Sequence, residues 1–127
     1  MKKSHAALAG MTVLFSLVAL AASEPWDATY TSYPMHYLMY SGELGDRKPP
    51  TKTEQRLSIA VQGRLAKDMF DLIGPDLKLA CGTTLGMRQR KRGDVSCSFD
   101  RHQAKLPYTC HFGIDLRKGK SMEGATC

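Results

Sequence analysis

The sequence predicts an α+β fold: a small antiparallel β-sheet with one amphipathic helix, held by two disulfides. Three observations carry that reading. Several short segments alternate apolar and polar residues with the period of a strand. One segment, 64–73, switches to helical spacing. The four cysteines, Cys81, Cys97, Cys110 and Cys127, all fall in the last 47 of 127 residues. An even count in an exported chain of this size reads as two disulfides that support a modest core.

Export is read from the N-terminus. Lys2 and Lys3 precede an apolar run over 6–22 that ends in small residues, which is the form of a secretory leader. Residues 1–23 are therefore expected to be removed, leaving a mature chain from Glu24; a cut after Ala21 is the alternative. The run is short for a membrane span, which needs roughly 20 apolar residues, so no stable membrane anchor is expected after cleavage.

Residues 24–35, "EPWDATYTSYPM", hold two prolines, Trp26, Tyr30 and Tyr33 without a period, and read as an irregular aromatic arm. A single α+β domain over 36–127 follows. "HYLMYSGEL" (36–44) reads as a first strand, apolar on both faces at its start, with Tyr37 and Met39 as core residues. Residues 45–55 read as a polar loop because Pro49-Pro50 excludes regular structure. Over 56–63, Leu57, Ile59 and Val61 share one face, giving a half-buried strand. In 64–73, Leu65, Met69 and Leu72 recur at helical spacing beside Ala66, Phe70 and Ile73, and Gly74-Pro75 ends the helix. Residues 76–81 offer a further helical turn. Beyond them the chain reads as strands around 85–90, at 95–99 and 108–116, and a last short one at 121–127.

"VSCSFDRHQAKLPYTCHF" raises the question of chemistry, since it packs two cysteines and two histidines closely. Alternation sets Val95, Cys97 and Phe99 on one face, and Tyr108, Cys110 and Phe112 on one face of the next strand. His111 then points away from Cys110, and His102 falls in the loop. Closely paired zinc ligands are missing from this pattern, and inward thiols in an oxidising space are poor nucleophiles. The cysteines therefore read as disulfides. A hairpin closing on 100–107 can set Cys97 opposite Cys110, and a turn at 117–120 can set Cys110 opposite Cys127. Directly opposed strand positions are wider than a disulfide prefers. The favoured pairing is Cys110 with Cys127, pinning the C-terminus, and Cys81 with Cys97, tying the helix end to the sheet.

Lys and Arg number 18 against 12 Asp and Glu; without Lys2 and Lys3 the balance is 16 to 12, a mature net charge of about +4. That mild, mixed charge suits an acidic protein partner or an anionic envelope surface better than nucleic acid. Its densest part is "RQRKRGD", where Arg88, Arg90, Lys91 and Arg92 would cluster if Arg88 and Arg90 point outward on a strand. With Tyr30 and Tyr33 of the arm, of a type enriched at interfaces, these are the candidate partner contacts. No G-x-S-x-G, H-E-x-x-H or S-x-x-K stands in the mature chain, and no phosphate loop or cofactor motif. The chain is read as a binding protein and not an enzyme.

Taken together, "YSGELGDRKPPTKTEQRLSIAVQG", "GPDLKLACG", "RGDVSCSFD" and "YTCHFGIDLRKGKSMEGATC" resemble a group of small exported bacterial proteins. That group is similar to periplasmic immunity proteins directed against type VI secretion effectors of the L,D-transpeptidase-like kind. The resemblance spans about residues 40–127. It implies a periplasmic inhibitor that neutralises a secreted, peptidoglycan-active toxin by occluding its active site, with no chemistry of its own. The alternative is a general envelope ligand-binding or lysozyme-inhibitor-like module without a dedicated toxin.

Overall fold

The computed structural model describes residues 26–78 and 85–126. The leader expected over 1–23, Cys81 and Cys127 lie outside the described residues. The chain forms two units, Met1–Thr31 and Ser32–Cys127. In the first, residues 26–31 adopt neither helix nor strand, and the Asp27 carboxylate accepts from the Thr29 amide at 3.1 Å and its hydroxyl at 2.9 Å.

The second unit runs β1 (His36–Glu43), β2 (Asp46–Lys48), β3 (Arg56–Gln62), α1 (Gly63–Ile73), β4 (Met87–Arg92), β5 (Val95–Asp100), β6 (Tyr108–Asp115) and β7 (Lys120–Met122). The strands form one antiparallel sheet in the order β2-β1-β3-β6-β5-β4, with β7 also paired to β6. The expected α+β architecture is present, with corrections at its edges. Residues 46–48, read as loop, pair with Ser41, Gly42 and Glu43 across a two-residue turn at Leu44-Gly45; the prolines end that strand but do not prevent it. The further helical turn at 76–81 is absent over its described residues: the chain leaves the helix at Gly74, and Leu77 N–H donates to the Gln89 carbonyl at 2.7 Å. The last strand is confined to Lys120–Met122.

The core follows from the alternation. β3 turns Ile59 and Val61 toward α1, which answers with Ala66 and Phe70; β5 and β6 add Cys97 and Cys110. Ala66 matters because it is small. Its carbonyl lies 3.3 Å from Cys110 Sγ, a packing contact, since a disulfide sulfur has no proton to donate. Around Phe70 the rings of Tyr108 and Phe99 form a chain, with centroids 5.4 Å apart for Phe70–Tyr108 and 5.0 Å for Phe99–Tyr108.

The disulfide joins Cys97 to Cys110. This overturns both favoured pairs, Cys81–Cys97 and Cys110–Cys127. The expected hairpin register is the one observed, Cys97 opposite Cys110 and Phe99 opposite Tyr108. The geometric objection fails because the strands approach locally: the two Cα atoms are 4.0 Å apart, nearer the ~4.5 Å of a non-hydrogen-bonded pair than the wider alternative. One disulfide, not two, is seen among the described residues.

Tyr33 supplies what the start of α1 lacks. Gln62, at the N-cap, makes no side-chain capping bond. Instead the Tyr33 hydroxyl donates to the Gln62 carbonyl at 2.5 Å and accepts from the Leu65 amide at 3.4 Å, satisfying a first-turn N–H that would otherwise have no intrahelical partner. Gly63 makes room for it. With φ of +70° and a would-be Cβ 2.8 Å from that hydroxyl, this position excludes a side chain on both conformational and steric grounds.

Past β7, the C-terminal segment crosses the helix-free face. Ser58 Oγ donates to the Gly124 carbonyl at 2.6 Å, and a Cβ at Gly124 would collide with the Phe112 backbone. Glycine here permits direct backbone-on-backbone contact.

Candidate protein-binding edge

The basic stretch "RQRKR" does not form one outward cluster. In β4, Arg88, Arg90 and Arg92 stand opposite Phe99, Cys97 and Val95 of β5, so the register turns all three toward the helix side. There they hold the C-terminal end of α1. Arg90 Nη1 donates to the Phe70 carbonyl at 2.8 Å, and Arg92 Nη2 to the Gly74 carbonyl at 3.1 Å. These carbonyls lie where a helix leaves acceptors unfilled and where cations are favoured. Arg90 also stacks over the Phe70 ring, 4.2 Å from its centroid. Arg88 and Arg90 converge on Asp76, with Nε–carboxylate distances of 2.7 and 2.6 Å. Lys91 alone of the four points the other way and pairs with Glu123. The signal for this was in the sequence, as arginines at every second position opposite core residues, but it needed the β4–β5 register to be read.

Hydrogen bonds from Arg88 and Arg90 hold the Asp76 carboxyl below the ordinary carboxylate range. A group whose folded pKa is depressed adds stability above its unfolded pKa and loses it as pH falls through the folded value. Asp76→Asn is therefore expected to lower Tm by about 2–5 °C at pH 7, with the gap closing as the pH drops below about 4. Thermal unfolding followed by circular dichroism across that range checks it; a gap independent of pH would refute the ion-pair account.

The sheet's two edges differ. On the β4 side, Leu77 N–H bonds to Gln89 and the arginines tie the strand to the helix end. On the other side β2 covers only Ser41, Gly42 and Glu43 of β1. Among the described residues no strand pairs with the outer edge of the stretch from His36 to Tyr40, whose inner edge is paired to β3. That stretch is also apolar and open: Tyr37 is 71% exposed and Leu38 44%. Tyr37, read as core, is thus corrected, and the buried aromatic of β1 is Tyr40, 1% exposed. The reason is the helix footprint. At 11 residues, α1 lies over β6 with β3, β5 and β4, and does not reach β1. Tyr37 faces the helix side but stands beyond its cover.

On the helix-free face, beside the same edge, lies a cavity of about 230 Å³ bordered by His36, Leu38, Arg47, Ser58, Ala60 and His111, with Tyr37, Gly124 and Ala125 completing it. Burial pushes the His111 pKa below the ordinary histidine value, so its ring is neutral at physiological pH. A second depression, of about 350 Å³, mixes Glu54 and Asp115 with Arg56, Arg117 and Lys118, and the Arg56–Glu54 pair there closes at 3.0 Å. Among the described residues no group of three or more His, Cys, Asp or Glu side chains could hold a metal, and no helix is long and apolar enough to cross a membrane. Of the remaining sequence candidates, Tyr30 is exposed in the first unit and Tyr33 is half-buried against α1.

Comparison with known proteins found no matching family model, no matching curated protein and no matching solved structure.

Proposed function

We propose that this chain is a periplasmic inhibitor that binds a secreted, cell-wall-directed toxin and occludes its active site, and that it docks through the open edge of β1. The observation that carries this is that, among the described residues, no strand pairs with the outer edge of the stretch from His36 to Tyr40, which exposes Tyr37 and Leu38 on its two faces. An extended partner segment can add a strand to such an edge, with main-chain bonds giving affinity and side chains of alternate faces giving specificity. The basic cavity beside it and the mature charge of about +4 suit an acidic partner. The resemblance over 40–127 supplies the toxin class. Arg88, Arg90 and Arg92, whose charges serve the helix end, contribute stability to the scaffold.

The test is a pull-down of the mature protein against secreted cell-wall enzymes of the same genome, followed by titration of the captured enzyme. Tyr37→Asp is expected to weaken binding at least about tenfold, or roughly 1.4 kcal/mol, without changing Tm, because that side chain is exposed. Leu116→Asp, on an exposed side chain away from β1, should leave affinity unchanged. Equal affinity of the Tyr37→Asp variant and the native protein would move the docking face elsewhere.

A further inference from the structure

The cavity beside β1 has a definite chemical character. His36, Ala60 and His111 stand in one row across β1, β3 and β6, each opposite the next. Adjacent strands are about 4.8 Å apart, so the two imidazoles rise about 10 Å from each other with only a methyl group between them. Arg47, exposed on β2, brings a guanidinium to the same space. Among the described residues no carboxylate lines the cavity; its nitrogen-bearing side chains are His36, Arg47 and His111, and Tyr37, Leu38, Gly124 and Ala125 border it further. The Ser58 hydroxyl is already donated to Gly124, which leaves imidazole and guanidinium N–H groups as the donors. Farther along the row, beyond Ser96, Lys91 is neutralised by Glu123, so the standing charge at the cavity is that of Arg47.

We propose that this cavity is a carboxylate-binding subsite that receives an acidic side chain from the strand docked on β1. The proposal rests on the edge-docking reading. Side chains of a docked strand alternate between faces, so every second residue would project over the helix-free face, one strand spacing from His36. A guanidinium there can grip a carboxylate through two parallel N–H bonds, with an imidazole N–H as a further donor.

The experiment uses the mature protein and three probes followed by NMR: sodium acetate, and two capped five-residue strand-forming peptides with central Glu or central Gln. The Glu peptide is expected to shift the His111 and His36 ring signals and the backbone amides of residues 36–40 together and saturably. The Gln peptide should bind roughly tenfold more weakly, the scale of one charge-assisted bond, and Arg47→Gln or His111→Gln should erase the difference between the peptides. Acetate should shift the ring signals alone. Equal binding of the two peptides along residues 36–40 would overturn the subsite and leave edge docking standing. Acetate at the rings with neither peptide at the edge would overturn the proposal by reducing the cavity to a small-anion site, and would count against edge docking. No saturable shift from any probe would sink both.

Discussion

Phe70→Ala is expected to be the most damaging single substitution, costing about 3–5 kcal/mol. The side chain is 1% exposed and sits where the helix, the sheet and the arginines meet. Its removal opens a cavity against Tyr108 and strips the ring from under two guanidinium groups, whose carbons lie 4.2 Å (Arg90) and 5.3 Å (Arg88) from its centroid. Against a typical total stability of about 5–15 kcal/mol, such a loss removes a large share of what keeps the chain folded. Phe70→Leu separates the causes. It restores most of the volume but offers no ring face, so its residual deficit reports the stacking, expected at about 0.5–2 kcal/mol. Urea unfolding of the three proteins measures both; an alanine variant as stable as the leucine variant would show that packing at this point contributes little.

Second in size is the loss of the Cys97–Cys110 bond. The crosslink joins residues 13 apart, and closing a loop of about that length stabilises by about 3 kcal/mol, chiefly through the unfolded chain. Replacing both residues by alanine adds a packing deficit, since both cysteines are buried in the same core cluster as Val61, Ala66 and Phe70. The double variant should lose about 3–5 kcal/mol in the same urea assay. Non-reducing peptide mapping should recover a 97–110 crosslink and neither 81–97 nor 110–127; recovery of either of the latter would contradict the fold at its centre.

What was legible in the sequence follows the distinction between local and non-local information. Alternation in Leu57, Ile59 and Val61 and in Tyr108, Cys110 and Phe112 is local, and it fixed both strands and their buried faces. The change of period after Gln62 did the same for the helix. The 97/110 register was legible too, but the choice among pairings turned on how closely two strands approach, which no pattern of residue types encodes. Arg88, Arg90 and Arg92 face the helix side because their partners across the β4–β5 ladder are Phe99, Cys97 and Val95; of the three only Arg90 is drawn out of solvent. Tyr37 and Tyr40 lie on opposite faces of β1, Tyr37 in the row of Ile59 and Tyr40 in the row of Arg56, and which face is covered at each point depends on residues distant in sequence. The cavity was invisible for the same reason. His36 and His111 become neighbours of Ala60 only once β3 is placed between β1 and β6.

An unfilled sheet margin is indifferent to whose backbone completes it. Two copies of this chain could join their sheets antiparallel along the stretch from His36 to Tyr40, a self-complementary contact of the two-fold kind. Each copy would also bring its own Arg47 to that seam, and like charges brought together resist the union. The fold thus carries a built-in bias in its choice of company, disfavouring its own kind and leaving the vacancy to an oppositely charged visitor.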